Sequence, residues 1–274
     1  MNEYTLYSKD AIEQRSSTGW LLKWNLGDKW IKSPGFIGDI ILWDSYSEIL
    51  AYNVAVDIGI KRHLVYKPCI ITIDNKIKVI GCESKNFNKQ GYNEVTLQKL
   101  YELGYFSDNK ELYDSIVYNV KDQLNLDIRT LLEDIIVLDS VILNGDRKLW
   151  NISILVNNNG RAIEAPIYDS GSSLGLNTYK SGIFYTENTY MDVVGFKSHP
   201  FYDTFEEQLK LVRKNRKYRN NLSRTLGLIE QLRTICKKEN NIFNIRNTLD
   251  DGQLLYIETL LKNRLNITMK EIGA

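Results

Sequence analysis

The sequence has few of the residues that staple, kink or anchor a chain. Its three cysteines, Cys69, Cys82 and Cys236, are odd in number and far apart, which argues against a disulfide framework and a zinc site. Its two histidines, His63 and His199, have no second ligand at metal spacing, so they are read as surface or hydrogen-bonded residues and given no catalytic role. No stretch approaches the roughly 20 apolar residues that span a bilayer. The opening MNEYTLYSKD lacks the basic cap and apolar run of an export signal. Lys and Arg number 35 against 34 Asp and Glu, so no global field draws the chain to nucleic acid or an anionic membrane. Four prolines, with no repeat and no low-complexity tract, leave no linker to mark a boundary. The expectation is a cytoplasmic protein without membrane contact, and 43% apolar residues suffice for a core.

What is present sorts by element type. Trp20 to Ser33 carries two apolar-aromatic runs about a Leu-Gly-Asp turn, which predicts a hairpin with Trp24 and Trp30 as cross-strand packers. Ser47 to Ile60 has helical spacing with Gly59 as its stop. Pro68 to Gly81 alternates about Asp74-Asn75 and predicts a second hairpin. Helical periods follow in Asn93 to Tyr105, Lys110 to Leu124 and Asp127 to Ser140, the last capped by Asp127. Among them, Ile152 to Val156 and Ala162 to Ile167 flank Asn157-Asn158-Asn159-Gly160, an isolated hairpin. Lys210 to Arg224 is rich in cations over an apolar stripe, and predicts an amphipathic helix with a solvated basic face.

The chemistry concentrates around that hairpin. Asp146 and Asn151 stand five positions apart just before its first strand, and Asp169 lies directly beyond its second, in Pro166-Ile167-Tyr168-Asp169-Ser170-Gly171. Closing the hairpin returns Asp169 to Asn151. Mg²⁺ takes a few hard oxygen ligands from protein and the rest from phosphates and water, which Asn151 and Asp169 suit. Asp146 is then placed to accept the proton of an attacking hydroxyl. Taken singly, Asn-Gly-Asp and Asp-Ser-Gly are also ordinary turn sequences.

Together, Asp146-Arg147-Lys148-Leu149-Trp150-Asn151, the hairpin and the Tyr168-Asp169 segment resemble the catalytic and metal-binding segments of HipA-like serine/threonine kinases, in their compact, CtkA-like form, and of the related phosphatidylinositol kinases. That group reads D-R-H-x-x-N or D-x-H-x-x-N in the loop, so Lys148 replaces a histidine. The resemblance implies an α+β, bilobal protein-kinase-like fold: a small sheet-plus-helix lobe over 1–87 that binds nucleotide, and a mainly helical lobe over 88–274 with a catalytic β-hairpin. It implies ATP and Mg²⁺ as cofactors, and transfer of the γ-phosphate to a Ser/Thr hydroxyl of a protein, with autophosphorylation. It also implies Lys32 meeting phosphates, with Lys23 its competitor, and Glu48 as the ion-pair partner of that lysine. Gly81 to Phe87 falls at the interlobe hinge, and Arg15 to Gly19 where a phosphate-covering or autophosphorylated loop would lie. The chain starts almost at the kinase core, so a HipB-like antitoxin contact is not expected. A nucleic-acid contact would have to come from 210–224. A lipid or small-molecule kinase, or a nucleotide-binding pseudokinase scaffold, stays open, since the acceptor groove is unreadable in sequence.

Overall fold

The alternating segments pair into two sheets, against which the helical periods pack. The computed structural model of the chain describes residues 1–16, 19–38, 40–88, 90–104, 112–175, 196–243 and 249–273. The front lobe is a seven-stranded sheet in the order β1-β6-β7-β4-β3-β2, with β5 on the side of β4. Its strands are β1 (Asn2–Leu6), β2 (Ile12–Ser16), β3 (Gly19–Asn25), β4 (Lys29–Ile37), β5 (Ile40–Ile41), β6 (Tyr66–Ile73) and β7 (Ile77–Lys85). All neighbours are antiparallel except β1 and β6, which run parallel. The turn from β6 to β7 holds Asp74 and Asn75 at φ 52° and 57°, the left-handed pair that a tight hairpin needs.

Helix α1 (Asp44–Ile58) is buried almost all round, so it is a core helix and not a surface one. It packs on β4, β6 and β7 on one side and on helices of the second lobe on the other. It begins earlier than the apolar period suggested and stops at Gly59, whose φ of 92° ends the helix in the left-handed conformation. The second lobe holds α2 (Leu97–Glu102), α3 (Leu112–Leu124), α4 (Arg129–Ile142), α5 (Phe205–Leu209), α6 (Ser223–Phe243) and α7 (Asp251–Ile272). Against them lies a three-stranded sheet in which β9 (Ser153–Asn157) sits between β10 (Ala162–Glu164) and β8 (Tyr92–Thr96). The architecture is α+β: a small sheet-plus-helix lobe over a mainly helical lobe that carries a β-hairpin.

Several expectations need correction. Trp24 pairs with Ile31 and Trp30 with Asn25, so the two tryptophans lie on opposite faces and do not pack together. Asn93 to Thr96 is strand and not helix, because β9 supplies a pairing partner from Asn157 to Ser153. The helix there starts only at Leu97, where Thr96 accepts from the Lys99 amide. Asp127 does accept a first-turn amide, from Arg129 at 3.0 Å, but the capping position itself is Ile128. Lys210 to Leu222 is not an amphipathic helix. The buried carboxylates Glu133 and Asp134 of α4 draw in Arg213 and Arg216, and Glu133 also accepts from the Arg213 backbone, which holds this stretch in turns. In the expected hinge segment, Gly81 to Lys85 is the end of β7. A Cβ on Gly81 would lie 2.2 Å from Ile71 and 2.5 Å from the Lys32 carbonyl, so strand pairing over Lys32 requires glycine there. In the expected phosphate-covering loop, Ser17 and Thr18 lie outside the described residues.

Candidate active site

Strand alternation decides which side chains reach the cleft. Ile31 and Trp24 point to a small outer cluster with Ile71 and Val79, which turns Trp30, Lys32 and Lys23 toward the other face. Lys23 is directly opposite Lys32 in register. All three line a cavity of about 810 Å³ between the lobes, together with Asp146, Asn151 and Asp169. That volume falls in the range of small-molecule sites, roughly 300–1,000 Å³.

Lys32 is the hub of the front lobe's contribution. Its Nζ lies 2.5 Å from Glu48 Oε1, 3.1 Å from Asp169 Oδ1 and 3.2 Å from the Tyr66 hydroxyl. The other Glu48 oxygen accepts from the Ser170 amide at 2.9 Å. One glutamate on α1 therefore ties the β4 lysine to the backbone just after Asp169. That backbone is anchored again two residues earlier: Ile167 donates to the Arg62 carbonyl and accepts from the Leu64 amide, forming a parallel bridge at His63. Asp169 has φ 59°, a left-handed conformation that aspartate and asparagine adopt more readily than other side-chain-bearing residues, and its neighbours hold it there.

The back wall is built on a buried guanidinium. Arg147 is 0% exposed and forms a fork with Asp139 of α4 at 2.9 and 3.2 Å. Its remaining donors reach the Asn151 carbonyl at 3.1 Å, the Tyr168 carbonyl and the Ser170 hydroxyl at 3.2 Å. Arg147 thus fixes the Asp146–Asn151 loop and the Asp169 segment to one another. Asn144 also binds Asp139 and accepts from the Asp146 amide. The Asn151 amide nitrogen donates to the Asp146 carbonyl at 2.8 Å, which leaves its oxygen as the end available to a cation.

The charges shift one another. Burial raises the Asp169 carboxyl, but Lys32 and Lys23 beside it outweigh that and hold it well below the usual carboxylate range. Burial depresses Lys32, and Glu48, Tyr66 and Asp169 more than compensate, keeping it firmly protonated. Lys23 goes the other way: burial and then Lys32 push it down, and Asp169 only partly restores it. Lys148 Nζ sits 2.8 Å from Asp146 Oδ1 and 4.9 Å from the Trp150 ring centre. Leu64, Tyr66, Phe87 and Tyr168 give the cavity an apolar and aromatic wall. The Phe87 and Tyr168 rings are 5.2 Å apart, and the Tyr168 hydroxyl is held by Glu94 and Ser153.

The donors fit a magnesium ion shared with a nucleotide. Asn151 and Asp169 offer hard oxygens on one cavity, and Mg²⁺ is normally held by only one or two protein carboxylates with phosphates completing its shell. Among the described residues no group of three acidic, histidine or cysteine side chains forms a cage of its own.

The structure brings Lys32, Glu48, Asp146, Asn151 and Asp169 to one cleft. Sequence reasoning gave no role to Arg147, Asp139 or Tyr66. The arginine stands next to Asp146, but its partner is a helix away, and only folding reveals it as buried. His63 is buried with Nδ1 bound to the Leu64 carbonyl, and burial lowers it to about 4. His199 lies close enough to Asp146 and Lys148 to feel their charges, and burial with Lys148 lowers it.

No protein-family model and no curated sequence matches the chain. Among solved structures, the chain is similar to the Helicobacter pylori proinflammatory kinase CtkA, with a TM-score of 0.58 at 16% identity over 98% of this chain and 99% of that one. The hydra Fam20 structure solved with sugar aligns at a TM-score of 0.40 and 12% identity, over 97% of this chain and 85% of the other. The CtkA likeness shows a shared kinase-like fold.

Proposed function

We propose that the chain is an ATP- and Mg²⁺-dependent phosphotransferase, a HipA-like serine/threonine protein kinase. The observation that carries this reading is the convergence of Lys32, Glu48 and Asp169, in which one glutamate holds both the lysine and the backbone following the aspartate. Magnesium, when bound, would neutralise charge on the transferring phosphate and bridge it to the protein. Asn151 and Asp169 would hold that ion. Lys32 steadies the phosphates, and the aromatic and apolar wall at Leu64, Tyr66 and Phe87 receives the base. Asp146, which lines the cavity, takes the proton of the acceptor hydroxyl as its oxygen bonds to phosphorus and the bond to the leaving nucleoside diphosphate breaks. Lys148, in contact with Asp146, keeps that carboxylate oriented until the acceptor arrives.

Lys148 also carries the second reading. A cation occupying the carboxylate that should serve as base suits a nucleotide-binding scaffold without turnover. Mass spectrometry of the full chain after exposure to ATP and magnesium separates the two. The kinase reading expects phosphate on a Ser or Thr, reduced at least about 100-fold in Asp146→Asn. Nucleotide binding with no transfer to the chain or to any protein acceptor would favour the scaffold.

A further inference from the structure

The sheet side of the cleft carries more positive charge than its neighbours use. Lys23 and Lys32 face each other directly across β3 and β4, a like-charge pairing that destabilises a sheet. Their side chains are only 17% and 11% exposed, so water screens the repulsion weakly. Lys32 has three hydrogen-bond partners. Lys23 makes no side-chain hydrogen bond among the described residues, and its one ion pair, to Asp169, is long at 4.0 Å. The other acids at this end are already engaged. Glu48 is held by Lys32 and Ser170, Asp44 accepts from the Gly35 amide at 3.0 Å, and Asp146 is paired with Lys148.

Lys23 also lines a smaller, adjoining cavity of about 50 Å³, with Lys32, Asp169 and Ser45. Ser45, 1% exposed in the first turn of α1, has a hydroxyl with no partner among the described residues. A weakly paired ammonium and an unpartnered hydroxyl therefore line one small cavity beside the carboxylate that faces both lysines. Buried donors left unpaired in a native fold call for an acceptor supplied from outside.

On the kinase reading of this cleft, we propose that Lys23 is a second phosphate-binding residue, which grips the terminal phosphates of the bound nucleotide together with Lys32. The sheet then contributes two cations to the nucleotide, one (Lys32) locked to α1 through Glu48 and one (Lys23) held in reserve. Ligand replaces the weak Asp169 contact and separates the two ammonium groups electrostatically. Adenosine, lacking phosphates, gains nothing from Lys23.

Calorimetric titration of the full chain with magnesium ATP and with adenosine tests this. Lys23→Met is expected to weaken magnesium ATP about 10- to 100-fold, the scale of a lost charged hydrogen bond, while adenosine binds as in the wild type. Lys23→Arg keeps most of the ATP affinity. In the ligand-free chain, Lys23→Met raises the unfolding temperature, because it removes repulsion and no native hydrogen bond. Equal ATP affinity in Lys23→Met and wild type would overturn the proposal and leave the kinase reading standing. A parallel loss of adenosine and ATP, or a lowered unfolding temperature, would make Lys23 a structural residue and overturn it as well. A wild-type chain that takes up neither ligand would remove the kinase reading and this proposal together.

Discussion

Arg147 and Lys23 are both cations near Asp169, yet they are used in opposite ways. Arg147 is fully buried and spends its donors on Asp139, Asn151, Tyr168 and Ser170. Lys23 is only partly exposed and has one distant ion pair. The first is saturated by the protein, so it is a brace; the second is left open toward the cavity, so it answers to a ligand. A fold can tolerate the open one because the saturated one, on the opposite wall, already fixes the loops.

The contrast can be broken from either side. Its largest consequence is for stability: Arg147→Met leaves Asp139 buried without its partner, and about 3–5 kcal/mol of unfolding free energy should be lost in chemical denaturation. Asp139→Asn should cost a similar amount, and the double substitution far less than the sum. Additive losses would show that the pair is not a unit.

A second, somewhat smaller effect sharpens the comparison at the other buried cationisable group near the cleft. His63 stays neutral in the fold, lowered from 6.5 to about 4 chiefly by burial, with Arg147 and Lys32 adding to it. The unfolded chain therefore binds the extra proton first. Stability is intact above pH 6.5 and falls as pH drops toward 4, by about 3 kcal/mol in all. In His63→Gln that slope should flatten, which denaturation midpoints across this window will show. An unchanged slope would mean that His63 ionises freely in the folded chain.

The smallest effect belongs to a cation on the outside. Lys262 pairs with Glu258 one helical turn away on α7 at 2.6 Å. Lys262→Ala should cost only about 0.3–0.5 kcal/mol, in the same denaturation assay. A loss as large as that of Arg147→Met would show that burial is not what separates these cations.

These differences also mark what the sequence makes legible. Asp146, Asn151 and Asp169 are close in the chain and joined by a hairpin whose turn is plainly written, so their grouping follows from local structure. Lys32 and Glu48 are grouped by the order of a strand and the helix after it. Arg147 could be seen but not weighed, since its burial depends on Asp139 at the far end of α4. Lys23 needed the register of β3 on β4, which a bulge between Leu21 and Lys23 shifts. The basic stretch after Lys210 misled for the same reason: its helical pattern is real in sequence, but Glu133 and Asp134 lie in another element and win. Strand β8 was hidden because its pairing partner, β9, comes some sixty residues later in the chain.

On the proposed function, Asp169 and the lysines facing it serve a magnesium-bound nucleotide. Calorimetric titration of the wild type and of Asp169→Asn with ATP, with and without magnesium, measures this most directly. Asparagine tolerates the left-handed backbone at that position, so the variant keeps the fold. Saturable, magnesium-dependent uptake by the wild type and its loss in the variant are expected. Failure of the wild type to bind, or binding that is indifferent to both magnesium and the substitution, would contradict that reading.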